Sequence, residues 1–586
     1  MTPPPAALPS PSGARDFGAL DTPFDVIVIG GGISGVQIAR HSAGRGLRTL
    51  LLERDDYGSG TSSATTKAIH GGLRYLEQYE FGVVQESVTE RRNLGIAAPH
   101  LVAPQRFLLT AWDWSKPPAP VLGAGVALYE AMAWRRNMGV PKDVRAQRFR
   151  WVGKNALLRR VPWLDPAGLR GAWAHDDSLS VHPERLLLSL VRSAADLGAV
   201  AFNHAEVVGL VTDPGPADAA TGGSARTAAT ARVTGARILD RLTGREHVAR
   251  SRVVINAAGP WVDRALGDLA EQSGIRVRQA KGVHLIMGSL GQTDALYARG
   301  KNGSHFVVNP WQGRSLVGPT DTAMDGDADS AETTADDIEY LLETINSVSS
   351  RRFTADDVES TLVGVRPLVD DGKPTYRASR RFDIHDHSER GLPGAYSVTG
   401  GKWTTGRAMA AQVVERIVRS EPSLPPTRDF DSRTLPVAGA FGDYGSVEAA
   451  FESALLRRPD VQLPRAVRLH LARMYGTEHE RILDLVAADP ALGRRVSDRP
   501  DRLDIAAQAR YAVAAEDAWT LRDVVDRRLA LGTLGTVTES ELRAVTAVIA
   551  EPLGWSDADA DAQVGEYLEA QRRIQEVIAA VRAAGG

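Results

Sequence analysis

The chain predicts an α/β fold with a dinucleotide site, a sheet-rich cap and a helical C-terminal region, and three observations carry this. Residues 24 to 35 read Phe-Asp-Val-Ile-Val-Ile-Gly-Gly-Gly-Ile-Ser-Gly, a buried strand entering a glycine turn and then a helix, with Glu53 closing the next apolar strand. Alternating segments such as His284 to Met287 and His305 to Val308 predict an antiparallel cap sheet within 262–379. Helical periodicity at 466–474 and 506–526 marks a C-terminal helical domain over 438–586.

Taken in order, residues 1–22 are rich in Pro and Ala and lack a basic start before an apolar core, so they predict a disordered tail on a cytoplasmic protein. In the glycine motif, Gly30 permits the tight turn, Gly32 lets the backbone approach a pyrophosphate, and Gly35 lets helix and strand pack closely, with Ser34 in the first helical turn. Glu53, followed by Arg54, would accept from ribose hydroxyls and repel the extra phosphate of NADP. The β-branched run 26–29 and the strand Thr-Leu-Leu-Leu at 49–52 supply the βαβ context that a chance glycine run lacks. The motif does not separate NAD from FAD.

Residues 59 to 75, Ser-Gly-Thr-Ser-Ser-Ala-Thr-Thr-Lys-Ala-Ile-His-Gly-Gly-Leu-Arg-Tyr, hold too many hydroxyls and glycines for a core helix. Thr61, Ser62, Ser63 and Lys67 would grip a second length of pyrophosphate, while Gly71 and Gly72 let the chain pass a flat ring. By composition alone a solvated loop fits equally well.

Further along, 86–165 is expected to be a helical excursion from a nucleotide domain spanning 23–261. A helix over 181–197 is introduced by Ser180, and 205–211 is a strand. Residues 213–230 form a loose hairpin insertion, and 252–261 a strand and turn in which Ala257, Ala258 and Gly259 are small enough for a dinucleotide to cross. The acidic stretch 321–337 reads as a solvated loop, and 380–430 returns to the nucleotide domain.

With 586 residues the chain exceeds one core, and its formal net charge of −3 gives no footprint for nucleic acid. It contains no cysteine, which removes disulfides, thiolate metal sites and iron–sulfur clusters, so redox work needs a bound cofactor. No metal site is expected. Residues 120–134 are apolar almost all round and precede Arg135 and Arg136. Alone they fit a core helix, and they also fit a helix lying in a bilayer interface.

The 59–75 stretch, continued through Leu-Glu-Gln-Tyr-Glu-Phe to residue 81, resembles the FAD-dependent glycerol-3-phosphate dehydrogenases. The resemblance resumes at Asn256-Ala-Ala-Gly-Pro-Trp261, Lys281-Gly-Val-His284, Gly318-Pro-Thr-Asp321, Gly364-Val-Arg-Pro-Leu368, Gly400-Gly-Lys-Trp-Thr-Thr405 and the 515–528 stretch, in the family's order. It implies a glutathione-reductase-like FAD-binding Rossmann domain with an antiparallel-sheet substrate cap and a C-terminal helical domain. It also implies oxidation of sn-glycerol 3-phosphate to dihydroxyacetone phosphate, with electrons passed to a quinone by a peripheral protein at the inner face of the cell membrane. A homodimer is compatible with it.

The resemblance carries several site assignments. Val207, Ala258, Gly259, Gly401, Thr404 and Thr405 fall among the FAD contacts, and Arg366 and Arg380 become the phosphate-binding arginines. Alignment near Arg380 is gapped, so Arg377 remains an alternative. Arg74 and Tyr75, with His284 and Thr320, are further substrate contacts. His70 is the first choice as general base, with His284 and Lys402 as alternatives; Lys402 would instead place positive charge near the flavin. Pro319 and Trp403 depart from the family's commoner Thr and Leu, altering packing without removing charge. Rival readings are an oxidase using O2, a flavin-dependent amino- or hydroxy-acid oxidase, and a flavoprotein scaffold without turnover.

Overall fold

A computed structural model describes residues 15–214, 231–301, 303–368, 381–442 and 445–585. Two sheets and a set of C-terminal helices organise it. Across the first sheet run Phe382–Asp386, Ala395–Gly400, Glu246–Asn256, Phe24–Ile29, Thr49–Leu52 and Val200–Phe202. All these neighbours pair in parallel except Phe382–Asp386 with Ala395–Gly400. Leucine-rich and β-branched strands suit this position because both faces are covered. On one face Val28 and Leu51 pack with Val36, Leu187 and Val413 from helices Ile33–Gly44, Pro183–Asp196 and Gly406–Ser420. On the other, Ile27 and Leu50 meet Val233 and Ile238 of an antiparallel meander, Ala205–Pro214, Ala231–Asp240 and the start of Glu246–Asn256.

The second sheet roofs the site and is assembled from two chain segments, 68–180 and 278–368. The span 86–165, expected to be helical, therefore also carries strands Val102–Trp112 and Arg150–Gly153. Polar residues on both faces of Val102–Trp112 blur its alternation, because one face borders a cavity rather than a dry core. Pairing is antiparallel except where Ala295–Arg299 lies parallel to Val102–Trp112.

Other expectations are amended. The tail is packed from residue 15 onward, where Phe17 stacks on Phe202 and His247 with ring centroids 4.6 and 4.1 Å apart; residues 1–14 lie outside the described residues, as do 215–230 of the hairpin insertion. The helix expected from Val181 starts at Pro183, whose ring is preset for a first helical turn, and His182 caps it by accepting the Arg185 N–H at 3.1 Å. The acidic stretch is mostly exposed, as expected, but it is pinned to the fold: the exposed Asp327 and Asp329 pair with Arg264 and Arg54, and at its end Asp337 is buried against Lys281 at 2.6 Å. Those partners are distant in sequence, so composition shows the exposure and not the attachment.

The C-terminal helices dock on the nucleotide-binding region through a buried ion cluster. Asp56 accepts from Arg527 and Arg528, and from Asn203 at 2.8 Å. Arg527 also reaches Asp523 at 2.9 Å, and Asp523 pairs with His204 at 2.8 Å.

Candidate active site

Strand Phe24–Ile29 delivers Gly30 with φ +105°, and a side chain there would strike the Ala257 carbonyl at 2.7 Å. A Cβ on Gly35 would lie 1.9 Å from the Gly30 carbonyl. Both glycines are thus required by the backbone crossing itself, and Ala257 to Gly259 form the opposing small-residue wall. Helix Ile33–Gly44 opens from Gly32 with Ser34 in its first turn, and Ser62 Oγ accepts the Ile33 N–H at 2.9 Å. Helix Gly406–Ser420 begins alongside, since a Cβ on Gly406 would approach Ile33 to 3.0 Å. Glu53 accepts the N–H groups of Gly31 at 2.6 Å and Asp55 at 2.9 Å; burial nevertheless pushes its carboxyl up to about 7. Val207 lies on the neighbouring strand, whose first residue donates to the Glu53 carbonyl at 2.8 Å. A narrow, Cβ-free cradle at a helix start, bordered by this acid, fits a dinucleotide.

Some expected cofactor contacts have other partners. Arg54 makes a bidentate pair with Asp329, at 2.9 and 2.8 Å, and lies over the Trp261 ring. Lys67 is buried, its ammonium 2.6 Å from Glu184 and 4.9 Å from the Trp311 ring centroid, so its charge answers a carboxylate rather than a phosphate. Thr61 Oγ1 donates to the Val365 carbonyl, tying the loop to the cap, and Ser63 Oγ turns to the Gly60 carbonyl at 3.1 Å.

Beside the cradle opens a cavity of about 2060 Å³, bounded by the His70-to-Phe81 loop, the cap sheet, residues 401–404 and the Ala119–Met132 helix. Register identifies the sheet face that lines it. Arg366 opposes Ala280, placing it on the same face as Gly282 and His284, and Val307 opposes both Gly318 and Tyr297. Arg299 opposes His305, and Phe107 opposes His175 one strand further on. A Cβ on Gly282 would fall 2.3 Å from the Arg366 guanidinium, so that glycine makes room for the arginine.

Arg366 donates to the Thr320 carbonyl at 3.3 and 3.2 Å and lies 3.4 Å from Asp321. Thr320 Oγ accepts the Val283 N–H at 2.9 Å, making Thr320 a support for Arg366. His284 is buried, and neither ring nitrogen has a hydrogen-bond partner among the described residues. Burial, then the Arg366 charge, pushes its pKa down to about 3. Burial likewise lowers His70 to about 4, although Asp177 opposes the shift. Both rings are neutral proton acceptors at pH 7, but only His70 has a carboxylate behind it.

Gly400 and Gly401 take φ +73° and +93°, a consecutive left-handed pair that turns Lys402 and Thr404 into the cavity. Lys402 Nζ donates to Ser87 Oγ and sits 4.7 Å from the Tyr75 ring centroid. Thr405 immediately precedes the Gly406–Ser420 helix. Arg74 lines the same cavity, its charge felt by His70 and His305. Arg380 and its alternative Arg377 lie outside the described residues.

Sequence reasoning missed Asp177. Its Oδ1 accepts from the Gly71 N–H at 3.1 Å, Tyr129 Oη at 2.5 Å and Arg91, with His175 at 3.8 Å from Oδ2. Burial alone would raise this carboxyl, but Arg91, His175, His70 and the Tyr129 hydroxyl hold it below the usual range. Gly71, expected to clear a flat ring, is required on the protein side: a Cβ would lie 2.0 Å from Tyr129 Oη. The available signal was an Asp-Asp pair inside the strand Leu169–Ser180 and the Tyr129-Glu130 pair in a helix whose other residues are apolar.

Comparisons with known proteins agree with this geometry. Residues 25–416 match the FAD dependent oxidoreductase family model, and residues 430–560 match the C-terminal domain of alpha-glycerophosphate oxidase. A glycerol-3-phosphate dehydrogenase from Synechocystis is 34% identical over 572 residues, covering 94% of this chain and 96% of that protein. A D-erythritol 1-phosphate dehydrogenase from Brucella abortus is 31% identical over 507 residues, covering 86% and 93%. Among solved structures, the glycerol-3-phosphate dehydrogenase from Bacillus halodurans complexed with FAD superposes with a TM-score of 0.73 at 25% identity, over 95% of this chain and 96% of that one. The chain is an FAD-binding oxidoreductase and belongs to the FAD-dependent glycerol-3-phosphate dehydrogenase family.

Proposed function

We propose that the protein oxidises sn-glycerol 3-phosphate to dihydroxyacetone phosphate and passes the electrons to a membrane quinone. The observation that carries the reading is the placement of Arg366 and a neutral His284, whose ring nitrogens have no hydrogen-bond partner among the described residues, on one cavity-facing sheet surface. Arg366 binds the phosphate, for which a planar guanidinium fork is suited, and Arg74 adds charge from the opposite loop. His284 hydrogen-bonds the substrate and orients its secondary hydroxyl.

FAD, when bound, supplies the two-electron acceptor for the hydrogen leaving the alcohol carbon. His70 takes the hydroxyl proton; Asp177 behind it favours the imidazolium that results, whereas Arg366 opposes protonation of His284. Lys402 offsets negative charge accumulating on that side of the cavity.

The quinone reading is supported by the Ala119–Met132 helix. Val126 and Tyr129 are buried, while Val121, Ala124, Leu128 and Ala131 form an apolar stripe toward solvent, continued by Trp134 at 67% exposure beside Arg135. Val121 and Leu128 also border the cavity mouth with Tyr79 and Phe81, both exposed. Among the described residues no helix is long and apolar enough to cross a membrane, so the stripe would lie in the interface.

Anaerobic addition of sn-glycerol 3-phosphate should bleach the flavin absorbance, and glycerol or amino acids should not. Recovery should then be rapid with a quinone in liposomes and slow in air. Absence of bleaching removes the substrate assignment, and rapid recovery in air removes the acceptor assignment.

A further inference from the structure

Arg366 reaches the cavity face because its strand, Val358–Leu368, carries one extra residue. Side chains alternate along a strand, so counting in twos from Val358 would put Arg366 on the face that Val358 presents. Val358 faces the cap core, in one cluster with Met287, Leu285 and Val283. The pairing then breaks register: Met287 opposes Val358 but Ile286 opposes Ser360, which leaves Glu359 as a β-bulge. Beyond the bulge Val363 opposes Val283 and packs on the core, while Arg366 opposes Ala280 and lines the cavity with His284. The bulge inverts the parity of the strand, and that inversion delivers the guanidinium to the substrate side.

What holds the bulge comes from outside the sheet. Among the described residues Val358–Leu368 has one ladder partner, Arg278–Gly288, so it is an edge strand. The Glu359 carbonyl accepts from Thr536 Oγ1 at 3.1 Å and from Gln575 Nε2 at 2.9 Å. Its carboxylate accepts from Arg314 Nε at 2.8 Å, and the same guanidinium reaches Asp501 at 2.8 Å. Gly535, with φ +96°, leaves room for this side chain, since a Cβ there would lie 2.9 Å from Glu359 Oε2. Helix Asp557–Ala583, which carries Gln575, also sends Ile578 and Val581 into the same core as Val358. Three separate C-terminal segments thus converge on one bulged residue.

We propose that Glu359 is a positioning residue for Arg366, fixed by Thr536 and Gln575, so that phosphate recognition depends on a C-terminal region of which no described residue lines the cavity. The inference rests on the phosphate-binding reading of Arg366. An edge strand paired on one side can rotate about its own axis, and a rotation at the bulge is passed along the ladder to Arg366, about 23 Å further on. A guanidinium fork binds phosphate through two parallel hydrogen bonds, which a small change of aim weakens.

The test measures KM and kcat for sn-glycerol 3-phosphate on the FAD-loaded full chain with a soluble dye acceptor, together with the inhibition constant of inorganic phosphate. Thr536→Val and Gln575→Leu combined should raise KM and the phosphate constant together by about tenfold, with kcat within about twofold and flavin absorbance unchanged. Thr536→Ser, which keeps the hydroxyl, should leave both constants at their wild-type values. Should the double variant lose flavin, each single variant retains one donor and carries the same comparison, with an expected rise of about threefold. KM and the phosphate constant both unmoved, or a fall in kcat alone, overturns the positioning role whatever happens to the melting temperature. If Arg366→Met itself leaves inhibition by phosphate unchanged, the phosphate-binding reading fails instead.

Discussion

Two buried carboxylates, Asp56 and Asp177, meet the same physical demand in different ways. A carboxylate removed from water needs cations and donors around it, and each has arginine at contact distance. Asp56 is closed on all sides by Arg527, Arg528 and Asn203, and the arginines are in turn held by Asp523 and the Glu516 carbonyl. Nothing in that cluster borders the cavity; it joins the Glu53-to-Asp56 loop to the C-terminal helices. Asp177 has one arginine, and its remaining donors are the Gly71 N–H and the Tyr129 hydroxyl, with two neutral histidines nearby. Asp177 lines the cavity. The closed cluster is a fastener, and the partly open one tunes and positions the His70 turn.

The comparison is tested most severely by Asp56→Ala, which takes from two buried guanidinium groups the carboxylate they share, leaving Arg527 with Asp523 and Arg528 with backbone carbonyls, at a cost of about 3–5 kcal/mol. Thermal unfolding should shift down by several degrees and FAD should dissociate more readily, while turnover per bound flavin stays within about threefold of the wild type. Asp177→Asn should invert the pattern: bound FAD is retained and turnover per flavin falls about 10²-fold, because His70 loses the charge that favours its protonated form. If Asp56→Ala reduced turnover per flavin as much as Asp177→Asn does, the division between fastener and site would not hold.

These clusters also mark where the sequence was legible. The nucleotide cradle could be read because its constraints are local: Gly30, Gly35 and Glu53 act within one βαβ unit whose geometry is set by strand, turn and helix. The motif residues Arg366, His284 and Lys402 were legible through resemblance, and the structure brings all three to one cavity. What escaped was everything decided across long sequence separations. Lys67 read as a pyrophosphate ligand, and Arg54 as a neighbour of Glu53 at the cofactor, but Glu184 and Asp329 lie beside them. The strand Val102–Trp112 was hidden in a span read as helical because its partners lie near residues 175 and 296. Asp177 had no recognisable spacing to Tyr129 or Arg91, since sheet and helices bring them together only in three dimensions.

The smallest expected effect separates the nucleotide side from the reacting side without touching either cluster. Glu53 has a folded-state pKa raised to about 7, from an ordinary 4.5, chiefly because it is buried. In the protein without FAD, this group's contribution to stability is fully present below pH 4.5 and is lost as pH rises through about 7. Ribose hydroxyls donating to the carboxylate favour its ionised form, so binding of FAD below pH 7 must expel a proton, whereas at pH 8 the carboxylate is already charged. The Kd of FAD for the apoprotein, followed by flavin fluorescence, should therefore weaken by about tenfold from pH 8 to pH 6. Glu53→Gln should flatten that dependence. Turnover per bound flavin should follow neither change, because Glu53 reaches the Gly31 and Asp55 amides and not the cavity. A Kd that is flat with pH in the wild type would mean that Glu53 is already ionised before FAD arrives, and would leave its hydrogen bonds to those two amides, rather than a ribose, as what sets its charge.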